Sequence, residues 1–307
     1  MNRIAILTSG GDGPGLNACI RAATRTALQN DVEVFGVQWG YKGLVGGDIN
    51  QLTSRDVGGI LGKGGTILGT ARCPEFTELK VRRSALRNMN QRGIEGLIVI
   101  GGNGSLAGAL ALHEMDFPVI GIPASIDNDI NGTNMAVGVD TTLDPILDAI
   151  DRIKDTASSH QRAFLIEVMG RNCGYLGLVS GLAGGAELIL LPERDGPTLE
   201  EIADVVVEAY VRGKGHCIIV IAEGWKPGTH AVAKHLSSQK EDLGFDVRVT
   251  VLGHVQRGGR PSVFDRTLGT RMGVAAAKAL LAGESGKMTA LRGSGVELYP
   301  LEKAVEK

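Results

Sequence analysis

Two carboxylates on one short loop, Asp127 and Asp129 in Ser125-Ile-Asp-Asn-Asp129, directly follow an apolar run that reads as a strand. Two residues apart, they can face one side, where one could accept a proton from a substrate hydroxyl while the other holds a metal or the substrate. The same residues suit an Asx turn or a helix cap, so spacing alone leaves both readings open. Arginines form a second group: Arg72, Arg162, Arg171, Arg248 and Arg257. A lone arginine is ordinarily a solvated surface charge. Arg162, Arg171 and Arg257, however, adjoin Gly or Gln at strand ends or loops, where a guanidinium can grip phosphate oxygens through paired hydrogen bonds. Together they point to a phosphorylated substrate. His254, after Gly253, reads by itself as a hydrogen-bonded core histidine.

Glycine turns form a third group. Ser9-Gly-Gly-Asp-Gly-Pro-Gly-Leu-Asn17 and Gly101-Gly-Asn-Gly-Ser105 each follow an apolar run, as do Met169-Gly-Arg171 and His254-Val-Gln-Arg257. Glycines let backbone N–H groups close on an anion, and a helix starting near Asn17 points its positive end at the same place. This is a phosphate cradle without a lysine. Neither GxxxxGK[ST] nor GxGxxG is present, and the nearest stretch, Gly59-Ile-Leu-Gly-Lys63, has the wrong spacing. A glycine turn alone is usually simple chain reversal. Here Asp12, Asn17 and Arg21 lie in the first turn or the helix after it, and Asn103 and Ser105 in the second.

Strand-like runs must position these turns. Ile4–Thr8, Val32–Val37, Gly96–Ile100, Val119–Ile122, Phe164–Val168, Leu188–Leu191, Cys217–Ala222 and Val247–Leu252 are apolar and β-branched, mostly separated by helix-length stretches. Ala18–Gln29 has helical spacing, and Leu143–Thr156 is an amphipathic helix suited to lead into a second lobe. Such alternation predicts a layered, mostly parallel α/β architecture with ligand chemistry at the carboxyl ends of the strands. From Gly283 onward the chain is polar and weakly patterned, so its pattern alone does not establish order there.

At 307 residues two lobes are the expectation, although no linker or repeat marks a boundary. The 45 glycines, about twice the usual share, show no collagen period and sit in turns. A formal charge of −2 gives no reason to expect nucleic acid or an anionic membrane as partner. Cys19, Cys73, Cys173 and Cys217 lack CxxC spacing, and the chain opens on a strand-like segment, which points to the cytosol with reduced thiols. No apolar stretch approaches the ~20 residues of a membrane-spanning helix.

The motifs GGDGPGLNACIR, LGTARCPEF, GGNGS, SIDND, SSHQR (residues 158–162), EVMGR and VLGHVQRGG (251–259) occur in order between about Ile4 and Leu281. In these the chain resembles the 6-phosphofructokinases of the bacterial ATP-dependent type. The resemblance implies a two-lobed phosphofructokinase-like α/β fold, mostly parallel sheets with helices on both faces. A nucleotide lobe of residues 1–138 plus 253–307 and a sugar-phosphate lobe of 139–252 are expected. The implied activity is the glycolytic transfer of a phosphoryl group from MgATP to the 1-hydroxyl of fructose 6-phosphate, with Mg2+ as metal and a cytoplasmic setting. By resemblance Gly11, Tyr41, Arg72, Cys73, Gly102, Asn103, Gly104 and Ser105 surround the donor, with Asn103 at the metal. Ser125, Asp127, Asp129, Met169, Gly170, Arg171, Glu223, His254 and Arg257 hold the sugar phosphate, joined by Arg162 and Arg248 from a neighbouring subunit of a homotetramer. Asp127, Arg72, Gly11, Ser125 and Arg171 carry the chemistry, and Arg21, Arg25, Lys154, Glu187 and Lys214 fall on or near the family's effector site.

The chain departs from that pattern at Asn103, where active relatives usually carry Asp, and at Ser125, where Thr is commoner. Asn keeps an oxygen for a hard cation but loses the Coulomb attraction. Pyrophosphate-dependent relatives typically have Asp at the position of Gly104 and Lys at that of Ala124, so the residues here suit ATP. A pyrophosphate-dependent enzyme is the alternative within the family. A non-catalytic, effector-binding paralogue or partner subunit, favoured by Asn103, is the alternative of another class.

Overall fold

A computed structural model describes residues 1–306, which divide into two compact units. The first comprises Met1–Ile126, Ile130–Thr141 and the chain from Arg257 onward; the second comprises Asp127–Asp129 and Thr142–Gln256. The divisions thus fall at 141/142 and 256/257, a few residues beyond 138/139 and 252/253, and Asp127–Asp129 groups with the second unit.

The strands in chain order are β1 (Arg3–Ser9), β2 (Glu33–Val37), β3 (Ile49–Leu52), β4 (Gly96–Gly101), β5 (Val119–Pro123), β6 (Arg162–Val168), β7 (Leu188–Leu190), β8 (Cys217–Ala222), β9 (Asp246–Val251), β10 (Lys287–Arg292) and β11 (Gly295–Pro300). In the first unit they order as β11-β10-β5-β4-β1-β2-β3, parallel except for the β2/β3 and β10/β11 edges. The central strands β1 and β4 are buried along almost their whole length, which is why they read as unbroken apolar runs. The second unit is an all-parallel sheet, β7-β8-β6-β9.

Two elements go beyond the sequence expectation. The polar tail from Gly283 is ordered as β10, β11 and the helix Leu301–Val305, with β10 beside β5. Met288, Thr289, Ala290 and Leu291 are all buried, so no period-2 alternation marked the strand. The amphipathic helix is also longer than its apolar stripe: it spans Val139–His160 and includes Pro145 near its start.

Its first turn is held by Asp265, a fully buried carboxylate. Gly138 N–H and Thr141 N–H donate to its two oxygens at 2.8 Å, and the Thr141 hydroxyl donates at 2.6 Å. Burial pushes the Asp265 pKa up, opposed by those hydrogen bonds. Among the described residues no helix is long and apolar enough to cross a membrane.

Candidate active site

In the first unit, β1 and β4 are adjacent and parallel, with Ser9 opposite Gly101, while β2 lies on the other side of β1. Chain order therefore reverses between β1 and β4, the position where open α/β sheets bind ligands. A helix begins just beyond each strand: Leu16–Leu28 after the Gly10–Gly15 turn, and Asn103–His113 after Gly102. Neither has a side-chain N-cap. Their first-turn N–H groups and positive dipole ends suit an anionic ligand. Gly15, at φ 101°, cannot be replaced without strain, because a β-carbon there would lie 2.6 Å from Val137 Cγ1.

The remaining donor-side residues are tied to these turns. The buried Tyr41 hydroxyl donates to the Ser105 carbonyl at 2.6 Å, and its ring stacks on Phe76 with centroids 4.0 Å apart. Phe76 N–H in turn donates to the Cys73 carbonyl at 3.1 Å. The Thr70 hydroxyl donates to the Gly10 carbonyl at 2.7 Å. Exposed Arg72 and half-buried Cys73 therefore lie on a segment fastened at both ends. Arg257 is grouped with this unit: its Nη1 donates to the Asp12 carbonyl at 3.3 Å, and its guanidinium covers Gly11, where an added β-carbon would approach Nη1 to 2.8 Å. Ser125 is half-buried just beyond β5 and donates its N–H to the Val137 carbonyl at 3.2 Å.

In the second unit the relevant turns follow β6, β8 and β9, three neighbouring strands. Gly170 and Arg171 both have positive φ, 140° and 52°. A non-glycine residue there is strained, by about 1 kcal/mol or more, unless its surroundings impose the geometry. Glu223, after β8, does so: its Oε1 accepts the N–H groups of Gly170 at 3.2 Å and Arg171 at 2.7 Å. Buried Gln256 accepts Met169 N–H at 3.2 Å and donates to the Gly253 carbonyl at 2.9 Å, which fixes the turn bearing exposed His254. The Arg171 Nε lies 3.3 Å from Oδ2 of Asp127, a carboxylate only 3% exposed, and Asp129 is half-buried nearby in sequence.

Arg162 and Arg248 are elsewhere. Both flank Asp246, with the Arg162 Nε 3.9 Å from its carboxylate and Arg248 paired to the same oxygen. They sit toward the amino ends of β6 and β9, whereas Met169–Arg171 follows the carboxyl end of β6. The seven residues of β6 put those ends ~20 Å apart, at about 3.3 Å per residue. One copy of the unit cannot bring Arg162 and Arg171 to the same phosphate.

Of the effector candidates, Glu187 and Lys214 pair at 3.0 Å in the second unit, with Lys154 reaching toward the adjoining Gly185. Arg21 and Arg25 lie on the helix Leu16–Leu28 of the first. None of the thiols is activated: burial pushes all four upward, Cys217 to about 12, with Asp265 adding to Cys19 and Glu75 to Cys73.

Sequence reasoning overlooked Thr70, Phe76 and Gln256 as site-forming residues. All three stand inside quoted motifs, but Thr70 and Gln256 act on backbone groups and Phe76 through its ring on Tyr41, partners that no side-chain pattern shows.

Fold and turns together define an α/β protein with an anion cradle at a sheet switch point and an arginine–carboxylate cluster at the ends of a second parallel sheet. A profile of the family described as Phosphofructokinase matches residues 3–280. The chain is 51% identical over 306 residues to an ATP-dependent 6-phosphofructokinase of Thermotoga neapolitana, covering 99% of this chain and 94% of that protein. Against an ATP-dependent 6-phosphofructokinase of Natranaerobius thermophilus it is 51% identical over 292 residues, 95% of this chain and 90% of the other. The T-state crystal structure of Pichia pastoris phosphofructokinase superimposes with a TM-score of 0.92 at 39% identity, covering 99% of this chain and 35% of that one. The chain belongs to the phosphofructokinase family.

Proposed function

We infer that this chain is an ATP-dependent 6-phosphofructokinase, transferring the γ-phosphoryl group of ATP to the 1-hydroxyl of fructose 6-phosphate to give fructose 1,6-bisphosphate. The observation that carries this reading is 51% identity along 306 residues to a protein of that activity. Asp127 takes the proton of the 1-hydroxyl as that oxygen attacks phosphorus, and Arg171 fixes the orientation of its carboxylate. The Gly11 amide, Arg72 and the two uncapped helix N-termini take up charge on the transferring group. Ser125 and Asp129 complete the hydroxyl side. Direct transfer needs no enzyme nucleophile, which accords with thiols pushed away from reactivity.

Mg2+ bound at the donor site, with Asn103 as the side chain that would hold it, would supply positive charge against the donor phosphates. The residues present fit such an ion through oxygen chemistry: Asn103, whose side-chain oxygen suits a hard cation, opens the helix that follows Gly102. Tyr41, Cys73, Gly102, Gly104 and Ser105 shape the donor site. Met169, Gly170, Glu223, His254 and Arg257 shape the sugar site. The ~20 Å span of β6 supports Arg162 and Arg248 serving a neighbouring copy, as in a homotetramer with shared sites. Lys154, Glu187 and Lys214, with Arg21 and Arg25, are assigned to an effector anion, and a cytosolic setting goes with this chemistry.

The test is product identification. With fructose 6-phosphate, MgATP and purified chain, phosphorus NMR should show a new phosphate ester on C1 and one ADP per ester formed. ATP hydrolysis without the ester, or no reaction, overturns the reading.

A further inference from the structure

The segment from Lys63 to Thr70 has no regular secondary structure, yet it is fastened to β1, the Gly10 turn and the following helix at several residues. Asn17 does most of this. Its side chain is buried, 1% exposed, and its amide is fully used: both N–H donors reach carbonyls, Lys63 at 3.1 Å and Gly64 at 3.2 Å, while its oxygen accepts Ile67 N–H at 2.9 Å. Further along, the Thr8 hydroxyl donates to the Gly69 carbonyl at 2.8 Å. Thr8 has only that one proton, so at 2.9 Å the Thr66 hydroxyl must donate to Thr8, and Thr66 accepts Leu68 N–H at 3.2 Å. The Leu68 carbonyl accepts Trp39 N–H at 2.8 Å, and the Thr70 hydroxyl closes the series on Gly10. Arg72 is two residues further on.

We propose that Asn17 is a positioning residue for phosphoryl transfer. Through the 63–70 strap and its last fastening, Thr70 to Gly10, it sets the backbone that carries Arg72 two residues on. The inference rests on the role given to Arg72 above. Asn17 is suited to this because an amide can donate twice and accept once at a single buried point, whereas an aspartate would aim oxygens at two carbonyls. A buried asparagine could equally do no more than hold a loop in shape. The two roles differ in what happens once Arg72 is gone.

The experiment is a double-mutant cycle on the full chain. Asn17→Ala is expected to lower kcat by about 10- to 100-fold, since small misplacements of a positioned group cost up to ~10²-fold. The KM for fructose 6-phosphate should change little. In an Arg72→Ala background the same substitution should cost less than about twofold, because coupled residues are not additive. Should Asn17→Ala fail to fold, Thr70→Val, which removes one hydroxyl at a half-buried site, takes its place: kcat falls by about fivefold, the worth of one hydrogen bond, and Thr70→Ser recovers most of it. If Arg72→Ala is itself impaired but the second loss multiplies on top, Asn17 and Thr70 do not act through Arg72 and the proposal is overturned. If Arg72→Ala turns over like wild type, the fault lies in the role given to Arg72, and the proposal falls with it.

Discussion

The loops of the first unit are fastened by neutral side chains that reach backbone: Asn17 to the 63–67 strap, Thr70 to Gly10 and Tyr41 to Ser105. Those of the second unit are fastened mainly by charge: Glu223 under Gly170 and Arg171, Asp127 beside Arg171, and Asp246 between Arg162 and Arg248. A donor triphosphate is highly anionic, and carboxylates around its cradle would repel it; amides and hydroxyls set the geometry at no electrostatic cost. A sugar phosphate needs cations held ready, and carboxylates supply that hold. Strength then depends on burial. Asp127 is buried, whereas Asp246 and its two arginines are substantially exposed, and such pairs are worth little and easily exchanged for a phosphate.

The sharpest break in this comparison is at Asp127. Asp127→Asn should lower kcat by at least ~10²-fold with little change in the KM for ATP, since a general base contributes about 10²–10⁴-fold and the donor is bound elsewhere. Near-normal steady-state turnover would remove Asp127 as base.

Next in size is Arg162. Loss of one charge-assisted phosphate contact should reduce kcat/KM for fructose 6-phosphate by about 10- to 100-fold in Arg162→Ala. If Arg162 serves a neighbouring copy, hybrids of Arg162→Ala with Asp127→Asn subunits regain activity, because some sites then hold both intact residues. Hybrids shown to form by mass spectrometry yet inactive would place the whole site within one chain.

A smaller effect, read in stability, concerns a charged exception to the neutral pattern. Asp265 is a carboxylate in the first unit, and in either orientation an amide there would set N–H donors against those of Gly138 or Thr141. Asp265→Asn should cost about 1–3 kcal/mol in urea denaturation. Because the folded Asp265 pKa lies above its unfolded value, its contribution is full below the unfolded pKa and is lost as pH rises through the folded one. The stability gap between wild type and variant should therefore narrow as pH rises across that range. A gap constant with pH would show that burial does not raise this group.

The smallest change is expected at Asn103. Asn103→Asp should lower the Mg2+ concentration needed for half-maximal rate by ~10-fold or less and raise kcat modestly, the scale of a restored ligand-sphere contact. A magnesium titration unchanged by the substitution would separate this residue from the metal.

Legibility in the sequence followed the same divide. The apolar strands and the glycine turns were readable, and Asp127, Arg171 and Arg162 stood out as candidates, because burial and charge leave marks in residue type. β10 was not, since a short strand buried on both faces has no period to display, and β11, half-buried to exposed across a Gly-Ser-Gly turn from it, carries too few apolar residues to stand out. The clamp by Asn17 and Thr70 was hidden for another reason: its partners are carbonyls, which every residue carries. Arg257 shows a third limit, since residue type could not tell that its guanidinium lies over Gly11 in the first unit.

The most direct test offers purified wild-type chain fructose 6-phosphate and Mg2+ with either ATP or pyrophosphate and follows fructose 1,6-bisphosphate in a coupled assay. Sustained turnover with ATP, and none above background with pyrophosphate, is expected from Gly104 and Ala124. Faster turnover with pyrophosphate would contradict the donor assignment, and a protein inert with both that still binds fructose 6-phosphate in calorimetry would contradict catalysis itself.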